Sequence, residues 1–276
     1  MNRIFEGLES TGSEPIGHSN GNHAGIEEEV DRFPGRRASQ TTSAGTVVVD
    51  EPAASRVEFM PPPVLEMDHA TRQELIRLTH TVFLRSGGSR VVAFSGVEPG
   101  VGCSWLLVRV AGLLAAADAG SVCVVDANLH APSLHTYLRV GNRCGLSDAL
   151  IDPHPVCEYA LRISRRFHLL SSGSMAWKAE RLLASSTFRA CVDELRTAYD
   201  FVLLDTPPLA ESSDALVVAS TADGLAMVVE AHSTSRDIAL KAAREAVTTN
   251  TRVLGVVLNK RTYPIPRTIY KKLRYA

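Results

Sequence analysis

The sequence has almost no net charge, no long apolar run, no closely paired cysteines and none of the histidine spacings that hold zinc. With a formal net charge of −1 over 276 residues, any attraction to nucleic acid or to an acidic surface has to be local. The longest apolar stretch, Leu106 to Ala117, is interrupted by Arg109 and is too short to cross a bilayer. The opening MNRIFEGLESTGSEP carries no apolar segment of the secretory kind. Five cysteines (Cys103, Cys123, Cys144, Cys157 and Cys191) are odd in number, widely spaced and form no C-x-x-C pair, which argues against a disulfide framework or a zinc site. Nine histidines include no H-x-x-x-H or H-E-x-x-H arrangement, and Ser171-Ser172-Gly173-Ser174 has the polarity of a turn, not of a G-x-S-x-G nucleophile elbow. These absences set the expectation of a reduced, cytosolic protein that does not act on nucleic acid.

What is present is enough apolar material for one core. Hydrophobic residues make up 45% and charged residues 21% of the chain, which suits a single α/β domain with extensions. Residues 1–65 are rich in Gly, Ser, Thr, Glu and Pro, lack sustained periodicity and close on Met60-Pro61-Pro62-Pro63, so they read as a disordered extension. Within it, Ile4, Phe5 and Leu8 could form one amphipathic turn, with a frayed terminus as the alternative. The domain should occupy residues 66–260. Residues 261–276 form a basic tail carrying Tyr263, Tyr270 and Tyr275, interrupted by Pro264 and Pro266.

From Asp68 the pattern is helical, with Leu75, Ile76, Thr79, Val82 and Phe83 on one face. A β-branched strand follows at Arg90–Gly96, then a Gly/Pro loop and a helix from about Ser104 to Asp118. Ser121–Ala127 and Phe201–Leu204 are continuous apolar runs meeting Asp126 and Asp205, as expected of strands buried on both faces. Short helices over 145–166, a strand at Phe167–Ser171 and a helix at Arg181–Thr197 lie between them. A helix near Ser213–Ser220, a strand at Leu225–Glu230, a helix at Ser235–Thr248 and a strand at Val253–Asn259 complete the alternation. Strand after helix after strand implies right-handed crossovers and a doubly wound, mostly parallel sheet with helices on both faces.

The organising stretch is RVVAFSGVEPGVGCSW, Arg90 to Trp105. A strand, a Gly-rich turn and a helix start direct backbone N–H groups at one spot, which suits a phosphate chain. Gly100, Gly102 and Ser104 lie in a stretch built like a phosphate-binding loop, but Cys103 stands where the lysine of the G-x-x-x-x-G-K-[ST] pattern belongs. Carboxylates at the C-terminal ends of parallel strands sit where ligands bind in open α/β sheets, so Asp126 and Asp205 should converge on the same crevice, with Ser104 and one carboxylate placed for Mg²⁺.

Taken together, VVDANLHAPSLH (124–135), GLSDAL (145–150), RLLASSTF (181–188), YDFVLLDTPPLAESSDALVVASTADG (199–224) and GVVLNK (255–260) resemble the bacterial tyrosine autokinases of capsule and exopolysaccharide synthesis. These belong to the deviant-Walker P-loop ATPases alongside the MinD and ParA proteins. The resemblance covers about residues 68 to 260, and the N-terminal MNRIFEGLE is similar to a peptide found in some members. It implies ATP or ADP with Mg²⁺, and gives Ser104 as the loop hydroxyl, Asp126 and Asp205 as the two motif carboxylates and Asn259 as the residue at the base-binding edge. Glu74 and Arg77 match the family's oligomerisation helix, where His80 replaces a second arginine, and the tail tyrosines are candidate phosphosites. It further implies a membrane-embedded polysaccharide co-polymerase as partner, attachment to the inner face of the membrane through it, and homo-oligomers or hetero-oligomers with an active paralogue.

The departures cluster. Besides Cys103, Trp105 replaces a small threonine, and the D-x-D-x-R motif reads Asp126-Ala127-Asn128-Leu129-His130. Loss of one charged group that stabilises a transferring phosphoryl costs about 10²–10³ in rate. The expectation is therefore a degenerate member, its kinase activity lost or impaired, that regulates or scaffolds polysaccharide synthesis and export. Two alternatives stay open: a working tyrosine autokinase or ATPase recruiting a cation such as Lys260, Arg109, Lys241 or Arg236, or one from a neighbouring subunit, and a MinD/ParA-like positioning ATPase. A helix N-terminus lowers thiol pKa, so a redox-sensing Cys103 also stays open against a neutral substituent.

Overall fold

The computed structural model describes residues 67–262 apart from 86, 153 and 175–178. The N-terminal extension, the turn at Asn2–Leu8 and Tyr263, Tyr270 and Tyr275 lie outside the described residues. Seven strands form one sheet in the order β3-β4-β2-β5-β1-β6-β7. All neighbours are parallel except β3 (Leu161–Arg162), which pairs antiparallel with β4 (Phe167–Leu170).

The period of two along each strand feeds two separate cores. On β1 (Val91–Gly96), Val91 and Ala93 enter one cluster while Val92 and Phe94 enter the other. β5 (Phe201–Asp205) and β6 (Gly224–Glu230) divide in the same way, which is why these strands read as unbroken apolar runs. β2 (Val122–Asp126) is likewise buried throughout, whereas β7 (Val253–Asn259) closes the sheet as a half-exposed edge.

One face is covered by α1 (His69–Thr79), α2 (Cys103–Ala116) and α3 (Leu134–Leu138). Asp68 caps α1 by accepting from the Ala70 and Thr71 amides at 2.9 and 3.0 Å. The buried stripe of this helix uses Leu75, Leu78 and Thr79, and Ile76 is 40% exposed, so Leu78 takes the place the sequence pattern gave to Ile76. The helix ends in a wider π-type turn, His80–Leu84, that aims Phe83 at Phe94 and, edge-on, at Phe201. Phe94 is fully buried, and truncating such a ring to alanine costs about 3–5 kcal/mol.

The other face holds α4 (Leu146–Ala149), α5 (Ala179–Leu183), α6 (Ser186–Ala198), α7 (Asp214–Ala219) and α8 (Arg236–Thr248). The single helix expected over Arg181–Thr197 is two: Ser185 breaks it and caps α6, its hydroxyl accepting from the Phe188 amide at 3.2 Å. Phe188, Cys191, Val192 and Leu195 then form its buried stripe at i, i+3, i+4 and i+7. α3 and the two-residue β3 went unanticipated. Among the described residues, no helix is long and apolar enough to cross a membrane.

The order of strands fixes where a ligand can go. β1 lies between β5 and β6, and α2 carries the chain across β5 to β2. The crevice therefore opens above the C-terminal ends of β1, β5 and β2.

Candidate functional site

The loop from Val97 to Gly102 is the phosphate-loop shape anticipated from the sequence. Gly100 and Gly102 take φ of +76° and +84°, the left-handed region that glycine enters without steric cost. A side chain at Gly102 would also place its Cβ 2.6 Å from Asn259 Nδ2 and so displace that amide, but it is the left-handed conformation that favours glycine there. The first amide to bond within α2 is that of Leu106, to the Gly102 carbonyl at 3.1 Å; those of Cys103, Ser104 and Trp105 have no intrahelical partner. The segment after β5 is stitched to this loop. Thr206 binds the Phe94 carbonyl through both its amide and its hydroxyl, Ser95 Oγ donates to Pro207 O at 2.6 Å, and the Leu209 amide bonds Gly96 O at 2.8 Å.

Register brings the acids together. Asp126 and Asp205 are direct partners across the parallel β2–β5 pair, and both are buried. One oxygen of Asp126 accepts from the Ser133 and Leu134 amides at 3.0 Å each; its other oxygen has no hydrogen-bond partner. Neither oxygen of Asp205 has one. Burial pushes Asp126 up to about 6, against the pull of the Leu134, Ser133 and Asn128 amides. Burial, reinforced by the charge of Asp126, pushes Asp205 up to about 8. Ser104 and Cys103 stand near enough to Asp205 to oppose the rise, without closing a hydrogen bond of good geometry on it. Three unpartnered carboxylate oxygens beside a serine hydroxyl make a hard-oxygen donor set, which fits a small divalent cation.

Cys103 opens α2 and is partly buried at the head of the crevice. Burial first and the Asp205 charge second hold its thiol well above the usual range, outweighing any helix-terminus effect. The thiolate needed for redox sensing is disfavoured here, and the group faces Asp205 as a neutral one.

Of the other cations considered from the sequence, Arg109 lies with its guanidinium carbon 3.4 Å from the centre of the Trp105 ring and donates to Trp105 O at 3.3 Å. Lys241 pairs along α8 with Glu245, and Arg236 is exposed at the start of that helix. Lys260 reaches the loop from outside the crevice, donating to Gly100 O at 2.7 Å and Glu230 Oε2 at 2.9 Å. Asn259 donates to Val101 O at 2.8 Å. Glu74 and Arg77 pair with each other on the exposed face of α1 at 3.2 Å, remote in sequence and element from the loop.

Two contacts were invisible in the sequence. His130, standing where the motif has arginine, meets buried Asp214 at 3.1 Å and so ties the loop after β2 to α7. Asn128, in place of a second carboxylate, accepts from the Ala131 amide at 3.2 Å within its own loop. No local pattern in the sequence links His130 to Asp214, which lie 84 residues apart.

Fold and loop together define the P-loop NTPase architecture, a class that binds nucleotide with Mg²⁺. The family model for ParA, described as the NUBPL iron-transfer P-loop NTPase, matches residues 89–272. The tyrosine-protein kinase YwqD of Bacillus subtilis (strain 168) is 31% identical over 170 residues, covering 61% of this chain and 71% of the relative. The succinoglycan biosynthesis transport protein ExoP of Rhizobium meliloti (strain 1021) is 30% identical over 182 residues, covering 64% of this chain; the chain spans only 23% of that relative's length. Among solved structures, the chimeric protein CapA2B2 superposes with a TM-score of 0.66 at 22% identity, over 73% of this chain and 90% of that one, which shows the shared fold. The chain belongs to the ParA-type P-loop NTPases and, within them, to the family of bacterial tyrosine-protein kinases.

Proposed function

We propose that this chain is a member of the tyrosine-kinase family in which phosphoryl transfer is lost or strongly weakened, and that it regulates or scaffolds exopolysaccharide or capsule synthesis and export. One observation carries the reading: where the loop lysine belongs, the neutral Cys103 thiol faces Asp205, and the crevice is acidic. The backbone amides of Gly100, Gly102, Cys103 and Ser104 would cradle the phosphates of ATP or ADP, and Asn259 would border the base. Ser104, Asp126 and Asp205 would hold Mg²⁺, which neutralises phosphate charge when bound. The loop lysine that would complete this neutralisation is replaced by Cys103, and among the described residues Arg109 stacks on Trp105, Lys241 pairs with Glu245, and Lys260 is bound to the Gly100 carbonyl and Glu230. Nucleotide would then serve as a structural ligand.

The family resemblance extends this reading to the assembly. The partner would be a membrane-embedded polysaccharide co-polymerase that holds the chain at the inner face of the membrane. α1, with Glu74 and Arg77, would serve oligomerisation with like chains or an active paralogue. Tyr263, Tyr270 and Tyr275 would be substrates of such a paralogue rather than of this chain.

The test is phosphotyrosine formation by the purified full chain with Mg²⁺–ATP, beside Cys103→Lys and Asp205→Asn. The wild type should give at least about 10²-fold less signal than Cys103→Lys. Strong wild-type phosphorylation that disappears in Asp205→Asn overturns the proposal and establishes a working kinase.

A further inference from the structure

We infer that Lys260 is a positioning residue of the phosphate loop, which it orients from behind through the Gly100 carbonyl; the inference rests on the reading of Gly100–Ser104 as a phosphate cradle. Lys260 Nζ donates to Gly100 O at 2.7 Å and, one residue earlier, Asn259 Nδ2 donates to Val101 O at 2.8 Å. Two consecutive side chains at the end of β7 thus hold two consecutive carbonyls of the loop.

The consequence follows from peptide geometry. In a trans peptide the C=O and the N–H of the next residue point to opposite sides, and the described chain has no cis peptide. Drawing the Gly100 and Val101 carbonyls toward β7 turns the Val101 and Gly102 N–H groups away from it. In this sheet β7 and β5 lie on opposite sides of β1. The two amides therefore turn toward the side where Asp205 and Ser104 stand. Without such a hold, a loop with two left-handed glycines can rotate its peptide planes and present carbonyl oxygens to an anion.

Lys260 is itself fixed for the task. Its φ is +53°, uncommon for a residue other than glycine and kept where the surroundings over-determine it. The Ala231 amide binds Asn259 O at 2.9 Å, anchoring the end of β7 to that of β6, and Glu230 on β6 accepts from Lys260 Nζ at 2.9 Å. The carboxylate offsets much of the ammonium charge, so Lys260 contributes direction to the loop more than net charge to the ligand. In a chain lacking the usual lysine, oriented backbone amides are what the loop itself offers a phosphate beside any bound Mg²⁺.

The experiment uses the full chain, with Mg²⁺ and inorganic pyrophosphate as the probe, and Lys260→Met, Lys260→Arg and Glu230→Gln as variants. Calorimetry should show pyrophosphate affinity roughly tenfold weaker in Lys260→Met, within about threefold of wild type in Lys260→Arg, and weaker in Glu230→Gln. Nuclear magnetic resonance of ¹⁵N-glycine-labelled protein without ligand should show the Gly100 and Gly102 amides shifted or broadened in Lys260→Met and restored in Lys260→Arg. Unmoved glycine amides overturn the inference, and so does tighter pyrophosphate binding by Glu230→Gln, which would mark Lys260 as a direct phosphate ligand held back by its carboxylate. If the wild type binds neither pyrophosphate nor Mg²⁺–ADP, the cradle reading fails, while the glycine amides still decide whether Lys260 orients the loop.

Discussion

The two ends of the sheet treat their aspartates in opposite ways. At the N-terminal ends of the strands, Asp223 accepts from the Arg90 and Val91 amides at 2.8 and 2.9 Å and from Arg196 Nη1 at 2.6 Å. Burial alone would raise it, but these donors win and hold it below the ordinary carboxylate range. Asp200 beside it is lowered by the amide and hydroxyl of Ser121. At the C-terminal ends, Asp126 and Asp205 are raised and retain unpartnered oxygens. One end uses its acids to join strands; the other keeps them buried with oxygens that no donor among the described residues satisfies.

The largest test of this contrast is Asp223→Ala, which strands two amides and a guanidinium at the foot of β1. It should lower unfolding free energy by about 3 kcal/mol in urea denaturation at pH 7. A loss below about 1 kcal/mol would mean that this end is not held by its acids.

Asp205→Asn should act in the reverse direction. The folded-state pKa of Asp205 lies at about 8, above its unfolded value, so the native state binds a proton that the unfolded chain releases. Its contribution to stability is fully present below the unfolded pKa and declines as pH rises from about 4 to 8. Without nucleotide or metal, Asp205→Asn should therefore be more stable than wild type by on the order of 1–3 kcal/mol at pH 8–9, with the difference vanishing near pH 4. Denaturant titrations across that range check the sign, and a wild type that gains stability over it would break the contrast.

The smallest effect belongs to Asp118→Asn. Arg166 meets Asp118 at 2.7 Å near the same end as Asp223, but the Asp118 side chain is 80% exposed. Solvent screening should keep the change under about 0.5 kcal/mol, a difference measurable in the same urea series. A larger loss would show that proximity to the foot of the sheet, rather than burial and satisfied donors, sets the value of an acid there.

The parts of this molecule that sequence made legible are those with a local physical cause. β1, β2 and β5 announced themselves because strands buried on both faces must be apolar at every position, and the span of β7 matched its expected range, Val253–Asn259. Asp126 and Asp205 were legible as strand-end acids, although their direct pairing depends on the β2–β5 register. The break at Ser185 was hidden because serine is tolerated within a helical pattern and becomes a cap only when the chain changes direction there. β3 is too short to show an alternation. Ile76 and Leu78 are both apolar, and only the packing against α2 and the sheet decides which of them is buried. The hold of Lys260 on Gly100 joins residues 160 positions apart, a neighbourhood created by the strand order β1-β6-β7 that no local pattern encodes.

The Trp105–Arg109 stack has a practical consequence. The sequence contains two tryptophans, and one of them follows Ser104 directly on the first turn of α2. Replacing Trp177 by phenylalanine leaves a single indole beside the loop, with a guanidinium lying against its face. Emission from that ring turns the chain into its own optical gauge of what the crevice contains, readable without a label and under turnover-free conditions.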